Sequence, residues 1–159
     1  MADRVGIGFD AHPFAVGREL KLGGVAIPHP SGLEGHSDGD ALLHALTDAI
    51  LGAAGLGSIG DHFPSTDPAW RGADSAAFLR KAAELAAASG FAIGNVDVLV
   101  IAEAPKLAPH VPAIRDRLAG ILEIPRERLS IRGTSSNGLG FIGRGEGLVA
   151  MASVLLTAS

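Results

Sequence analysis

The chain has 159 residues, 47% of them hydrophobic but only 4% aromatic, so its core must be built from Ala, Val, Ile and Leu rather than from rings. It contains no cysteine, which removes disulfides, thiolate zinc sites and cysteine nucleophiles. A net charge of −4 with pI near 5.8, and no basic run longer than a pair, argues against nucleic acid as a partner, because backbone binding needs clustered Lys and Arg. The longest apolar stretch, Leu148 to Ala158, is shorter than the roughly 20 residues of a membrane span. Met1-Ala-Asp-Arg leads straight into a strand-like run without the apolar segment of a secretory leader. These features describe a soluble, cytoplasmic protein, and the length fits one domain over residues 1–159.

Arg4 to Phe9 reads as a short strand delivering Asp10 and His12 at its end, and Leu20 to Pro28 as a β-type run broken at Gly23-Gly24. His29 to Gly39, rich in His, Pro, Gly and Ser, reads as a loop. The spacing of Leu42, Leu43, Leu46, Ile50 and Ala53 predicts a helix from Asp40 to about Ala54, stopped by Gly55. Gly57 to Gly72 is a long loop, of a length usually reserved for function. Asp74 to Ser89 is a second helix, Ala92 to Glu103 a long buried strand, and Pro109 to Ile124 a third helix. A short strand from Leu129 to Gly133, a glycine-rich loop from Thr134 to Gly147 and a closing strand to Leu156 complete the chain. Strands alternating with helices predict an α/β fold, an α+β sandwich with a mixed sheet and helices packed on one face.

Asp10 and His12 lie two apart in extended backbone, so both side chains point to one side and can meet one ion. Imidazole nitrogen with carboxylate oxygen suits zinc, and three protein ligands with an open fourth position is the catalytic arrangement. His44 is a candidate third ligand, although a histidine on an apolar helix is more often a core residue. It lies four residues after Asp40 and four before Asp48, near one helical face, where a flanking carboxylate can fix its tautomer. Spacing along the chain leaves open whether His44 reaches Asp10. Lys106 follows the long strand at the end where α/β sheets place substrates. The segment Thr134-Ser135-Ser136-Asn137, with Arg144 in the glycines beyond it, offers hydroxyls, backbone N–H groups and a guanidinium, the parts of an anion cradle; a flexible loop is the alternative.

Taken in order, Gly-x-Asp10-x-His12, then Gly-His36-Ser37-Asp38-Gly-Asp40 and Leu-His44-Ala-Leu-x-Asp48-Ala, then Phe63-Pro64-x-Thr66-Asp67-Pro, Gly-Asn-Val-Asp, Ala104-Pro105-Lys106 and Leu-Gly-Phe141-x-Gly-Arg144-Gly-Glu146-Gly resemble one family. It is 2-C-methyl-D-erythritol 2,4-cyclodiphosphate synthase of the non-mevalonate isoprenoid pathway, and the resemblance runs from about Arg4 to Leu156. It implies a lyase-type enzyme converting 4-diphosphocytidyl-2-C-methyl-D-erythritol 2-phosphate into the cyclic diphosphate and CMP. It further implies zinc on Asp10, His12 and His44, with His36 and Ser135 stabilising the transition state. The substrate-contacting positions it implies are Ser37, then Ser58, Ile59 and Gly60, then Phe63, Pro64, Ser65, Thr66 and Asp67. A cytidine and phosphate pocket follows in Ala102, Glu103, Ala104, Pro105, Lys106, Leu107 and Ala108 with Thr134, Ser136 and Asn137, and Phe141 and Arg144 complete the set. The resemblance also implies a homotrimer with sites between protomers, and a central channel near Phe9, Arg144 and Glu146 that holds an isoprenoid-like ligand in some members.

Three positions depart from the family pattern. Asn137 stands where an acidic residue usually ligates a second ion, magnesium or manganese, and offers only a neutral carbonyl oxygen. Ser58 replaces an Asp that contacts substrate hydroxyls, and Ser135 replaces a Thr while keeping the hydroxyl. A lost charged hydrogen bond costs roughly ten- to a hundred-fold in rate or affinity. Two other readings compete: a zinc phosphohydrolase using the same triad to activate water, and a catalytically weak homologue kept for ligand binding.

Overall fold

The computed structural model describes residues 1–159. Strand β1, Arg4–Val16, pairs antiparallel with β7, Gly147–Ala158, from Arg4 opposite Leu156 to Pro13 opposite Gly147. On its other side β7 pairs antiparallel with β5, Phe91–Ile101, and β5 pairs in parallel with β6, Leu129–Thr134. Strand β4, Ser31–Leu33, pairs antiparallel with the end of β1, giving a five-stranded mixed sheet in the order β4-β1-β7-β5-β6. The short strands β2, Leu20–Leu22, and β3, Val25–Ile27, form a separate hairpin.

Helix α1, Ala41–Ala54, lies across β1 and β7, and its inner positions carry no side chain larger than Leu or Ile. Its start is set by Asp40, whose carboxylate accepts from Leu43 N at 3.0 Å, and its end by Gly55 in the left-handed region. The same buried carboxylate accepts from Gly23 N at 3.0 Å and Gly24 N at 2.8 Å, which fastens the β2–β3 hairpin to the helix. A short helical turn, α2, covers Ile59–His62. Helix α3, Ser75–Ala88, is capped by Asp74 and packs on α1 and β5, and α4, Val111–Leu122, covers β6. The last turn, α5, spans Gly140–Gly143.

Alternation along β1 divides its two faces. Gly6 and Gly8 are buried under α1, while Val5, Ile7 and Phe9 are 73%, 71% and 58% exposed on the opposite face, which no helix covers. The predicted helices and the mixed sheet are present, with differences at the edges. Strand β1 does not end before Asp10: it continues to Val16 because Phe14, Ala15 and Val16 find partners in β4, inside the stretch expected to be only loop. Likewise the Gly57–Gly72 segment contains α2 and a 3-10 turn over Pro68–Trp70, and the 134–147 loop contains α5. No helix is long and apolar enough to cross a membrane.

Candidate metal centre

Asp10 and His12 follow Gly6 and Gly8 on the inward face of β1, so their side chains emerge where α1 begins. His44, in the first turn of α1, meets them there. Asp10 Oδ2 lies 2.6 Å from His12 Nε2 and 3.1 Å from His44 Nδ1. One ligand atom from each of the three falls within 4.8 Å of the others, so the three could hold a metal ion. The donor set fits: each imidazole has its far nitrogen anchored, His12 Nδ1 on the Glu34 carbonyl at 2.5 Å and His44 Nε2 on Ser75 Oγ at 2.7 Å. With protons held on those far nitrogens, the near ones present lone pairs beside a carboxylate, the arrangement a borderline-soft cation requires.

Burial works to raise the Asp10 carboxyl, but the hydrogen bonds and charges of His12 and His44 outweigh it and hold the group below its ordinary value. For His12 burial favours the neutral ring, yet the hydrogen bond and charge of Asp10 and the Glu34 carbonyl raise it above its ordinary value. Without a cation His12 therefore attracts a proton to Nε2, the atom a metal would take, while Asp10 stays ionised beside it.

The carboxylates flanking His44 along the helix do not fix its ring, contrary to the expectation from spacing. Asp40 is engaged with Leu43, Gly23 and Gly24, and Asp48 accepts from Ile59 N at 2.7 Å. The partners of His44 come from elsewhere: Ser75 at the start of α3, itself donating to Asp38, and Ser37, whose Oγ is 3.1 Å from Nε2. Sequence reasoning assigned no role to Ser75 or Asp38, since Ser75 is 31 residues from His44 and reads as an ordinary helix-start serine.

Of the other sequence candidates, His36 sits against the 3-10 turn, its Nε2 3.3 Å from the Asp67 carbonyl. Phe63 stacks on Phe78 at 4.5 Å between centroids, and Phe78 is 6.1 Å from the His44 ring, so the loop bearing Pro64, Ser65, Thr66 and Asp67 is tied to the metal cluster through aromatic contact. Ser58 donates its hydroxyl to Asp61 Oδ2 at 3.0 Å beside Ile59 and Gly60.

A second concavity of about 210 Å³ opens at the ends of β5 and β6 and is lined by Ala102, Pro105, Lys106, Leu107, Ala108, Thr134 and Ser135. Glu103 turns from it toward the following loop, where its Oε1 accepts from Ser136 N at 2.9 Å, Ser136 Oγ at 3.0 Å and Gly138 N at 3.3 Å. These bonds hold its carboxyl below its ordinary range, and they occupy two of the backbone N–H groups that an anion cradle would use. Asn137, between them, has φ of 56°, a conformation Asn tolerates better than longer acidic side chains. Ala104 and Phe141 are exposed, and Arg144 pairs with Glu146 at 2.9 Å. Asp10 stands opposite Ala150, Ala150 opposite Val100, and Val100 opposite Gly133, so the metal cluster and the Lys106 concavity share one end of the sheet. Three strand spacings, roughly 14 Å, separate them.

A mixed sheet with helices on one face and an Asp-His-His cluster at the strand–helix junction define an α/β protein with a metal-capable site, and its homologues mark it as an enzyme. The chain belongs to the YgbB family, whose model matches residues 3–157. The 2-C-methyl-D-erythritol 2,4-cyclodiphosphate synthase of Geobacter sulfurreducens is 52% identical over 96% of this chain and 98% of its own length. The bifunctional enzyme IspD/IspF of Hyphomonas neptunium is 55% identical over 98% of this chain, which spans 41% of that longer protein. Among solved structures, a 2C-methyl-D-erythritol-2,4-cyclodiphosphate synthase in its CDP-bound form superposes with TM-score 0.88 at 44% identity, covering 96% of this chain and 99% of the other. The bifunctional IspDF of Campylobacter jejuni superposes with TM-score 0.95 at 43% identity, covering 99% of this chain and 42% of that one. The resemblance read from the motifs thus extends over nearly the whole chain.

Proposed function

We propose that this chain, acting as one domain, converts 4-diphosphocytidyl-2-C-methyl-D-erythritol 2-phosphate into 2-C-methyl-D-erythritol 2,4-cyclodiphosphate and CMP, as a phosphorus–oxygen lyase of isoprenoid biosynthesis. The observation that carries the reading is the convergence of Asp10, His12 and His44 on one point. The substrate brings its own nucleophile: an oxygen of the 2-phosphate bonds to the β-phosphorus, and the bond from that phosphorus to the departing CMP breaks. No side chain has to form a covalent bond, and catalysis rests on placement and charge neutralisation. Zinc held by the three residues would polarise a phosphate oxygen as a Lewis acid.

Lys106, Thr134 and Ser135 line a concavity suited to the cytidine diphosphate portion, and His36 and Ser135 are the donors assigned to the charge that develops on the phosphates. CDP occupies a relative of the same fold, which supports a nucleotide diphosphate as the ligand class. The second cation, magnesium or manganese, has only the amide oxygen of Asn137 to meet, and that oxygen already receives Ser135 Oγ at 3.5 Å.

The assembly in this reading is a homotrimer in which the metal cluster of one protomer faces the Lys106 concavity of the next, in the cytoplasm. Two observations support it: the two half-sites share no lining residue, and Val5, Ile7 and Phe9 expose an uncovered apolar sheet face. Phe9 would then border a central channel able to take an isoprenoid-like ligand. Asn137 and Ser58 favour slowed turnover as the second reading, since neither supplies the charge expected there.

Incubating the purified chain with the cytidylyl substrate, zinc and magnesium tests the proposal by mass spectrometry. Cyclic diphosphate and CMP in equal amounts are expected; inorganic phosphate without cyclic product would indicate the hydrolase, and no turnover the binding-only homologue.

A further inference from the structure

We propose that Ser75, backed by Asp38, is the positioning residue that sets the tautomer and aim of His44; the inference rests on the metal-site reading above. A neutral His44 has one ring proton and two hydroxyls beside Nε2, Ser75 Oγ at 2.7 Å and Ser37 Oγ at 3.1 Å. The contest is decided by what lies behind each hydroxyl. Ser75 Oγ–H points to a carboxylate, Asp38 Oδ1 at 2.5 Å, so its lone pairs are left to face the ring. Ser37 Oγ has no carboxylate partner and weakly accepts from Gly39 N at 3.4 Å.

The proton direction is therefore fixed along one line. Nε2–H of His44 donates to Ser75 Oγ, and Ser75 Oγ–H donates to Asp38. That leaves His44 Nδ1 unprotonated and turned to Asp10 Oδ2 at 3.1 Å, where a cation would sit. Asp38 is itself held from two sides, accepting from Ser75 N on Oδ2 at 3.0 Å and from Asp40 N on Oδ1 at 3.1 Å. Ser75 is 0% exposed, so bulk water does not compete for its hydroxyl. Because Ser75 begins α3 while His44 belongs to α1, the line also makes the seating of α3 on α1 a condition of metal binding. With Ser75 Oγ–H committed to Asp38, the Ser37 hydroxyl can donate to Ser75 Oγ at 3.4 Å, which adds a second donor to the same oxygen.

The test compares wild type, Ser75→Ala, Ser75→Thr, Asp38→Asn and His44→Ala by zinc affinity in chelator competition, by the visible spectrum of the Co2+-loaded forms and by melting of the metal-free forms. Ser75→Ala is expected to weaken zinc binding by roughly 10- to 100-fold and to alter the Co2+ bands, with Ser75→Thr retaining both near wild type. Asp38→Asn, which keeps the Ser75 hydroxyl but removes the charge behind it, is expected to show the same change to a smaller degree, and it carries the test should Ser75→Ala fail to fold. Wild-type zinc affinity and spectrum in both Ser75→Ala and Asp38→Asn would overturn the proposal while the metal site stands. A wild-type chain that takes up no zinc, or a His44→Ala chain that binds it equally well, would overturn the metal reading and this inference together.

Discussion

Gly8 of β1 lies so close under α1 that a Cβ placed on it would fall 1.8 Å from the Ala45 carbonyl oxygen. Gly6, one step back on the same face, would bring its Cβ within 2.0 Å of the Ala49 carbonyl. Two positions without side chains thus let the helix backbone rest on the strand, and that contact brings His44 down to the level of Asp10 and His12. Substituting Gly8 by Ala must lift α1 or bend β1, because the obstacle is main chain and not a side chain that can turn away. The expected result is destabilisation of about 1–3 kcal/mol in urea unfolding, together with loss of zinc from the folded fraction, read by metal analysis.

A metal held as proposed would compete with protons for His12 Nε2. Burial favours the neutral ring, but Asp10 and the Glu34 carbonyl outweigh it and raise His12 above the ordinary 6.5. Zinc affinity is therefore expected to fall as pH is lowered, with a midpoint above 6.5, in calorimetric titrations across pH. A midpoint at or below 6.5 would contradict the electrostatic account. In the metal-free chain the sign is opposite: the protonated ring contributes stability that is fully present below 6.5 and is lost as pH rises through the raised value.

Glu103 fastens the Ser136–Gly138 turn, which follows the Thr134 and Ser135 wall of the Lys106 concavity. Replacing it by Ala frees that turn without touching the metal cluster. KM for the cytidylyl substrate is expected to rise on the order of ten-fold, with zinc content unchanged. Steady-state kinetics beside metal analysis check both halves.

Ile7 is 71% exposed in the middle of the apolar face of β1. If that face is the contact between copies of the chain, Ile7→Glu should give monomers in sedimentation analysis and abolish turnover while preserving zinc binding, since Asp10 and His12 point the other way.

Much of this was legible in the sequence because the signals are local. Asp40 and Gly55 bracket α1, Asp74 and Gly90 bracket α3, and the two-residue spacing of Asp10 and His12 already places them on one strand face. The length of β1 was not legible, because Phe14 to Val16 become strand only by pairing with a three-residue β4 hidden among Pro, Gly and His. The support of His44 was missed for a related reason. Along the helix Asp40 and Asp48 are its natural neighbours, yet one is drawn to the hairpin and the other to Ile59, and the true partner arrives from a different helix. The Glu103 clamp was equally invisible, as a carboxylate after a strand gives no hint that it folds back on a turn more than thirty residues later.

The central claim is that Asp10, His12 and His44 jointly hold one cation, and metal analysis of the purified wild type beside His44→Ala tests it most directly. One zinc per wild-type chain is expected, with none in a His44→Ala chain that keeps its wild-type circular dichroism. Equal zinc in both, or a His44→Ala chain that unfolds while holding its metal until it melts, would contradict the account and make His44 a core residue.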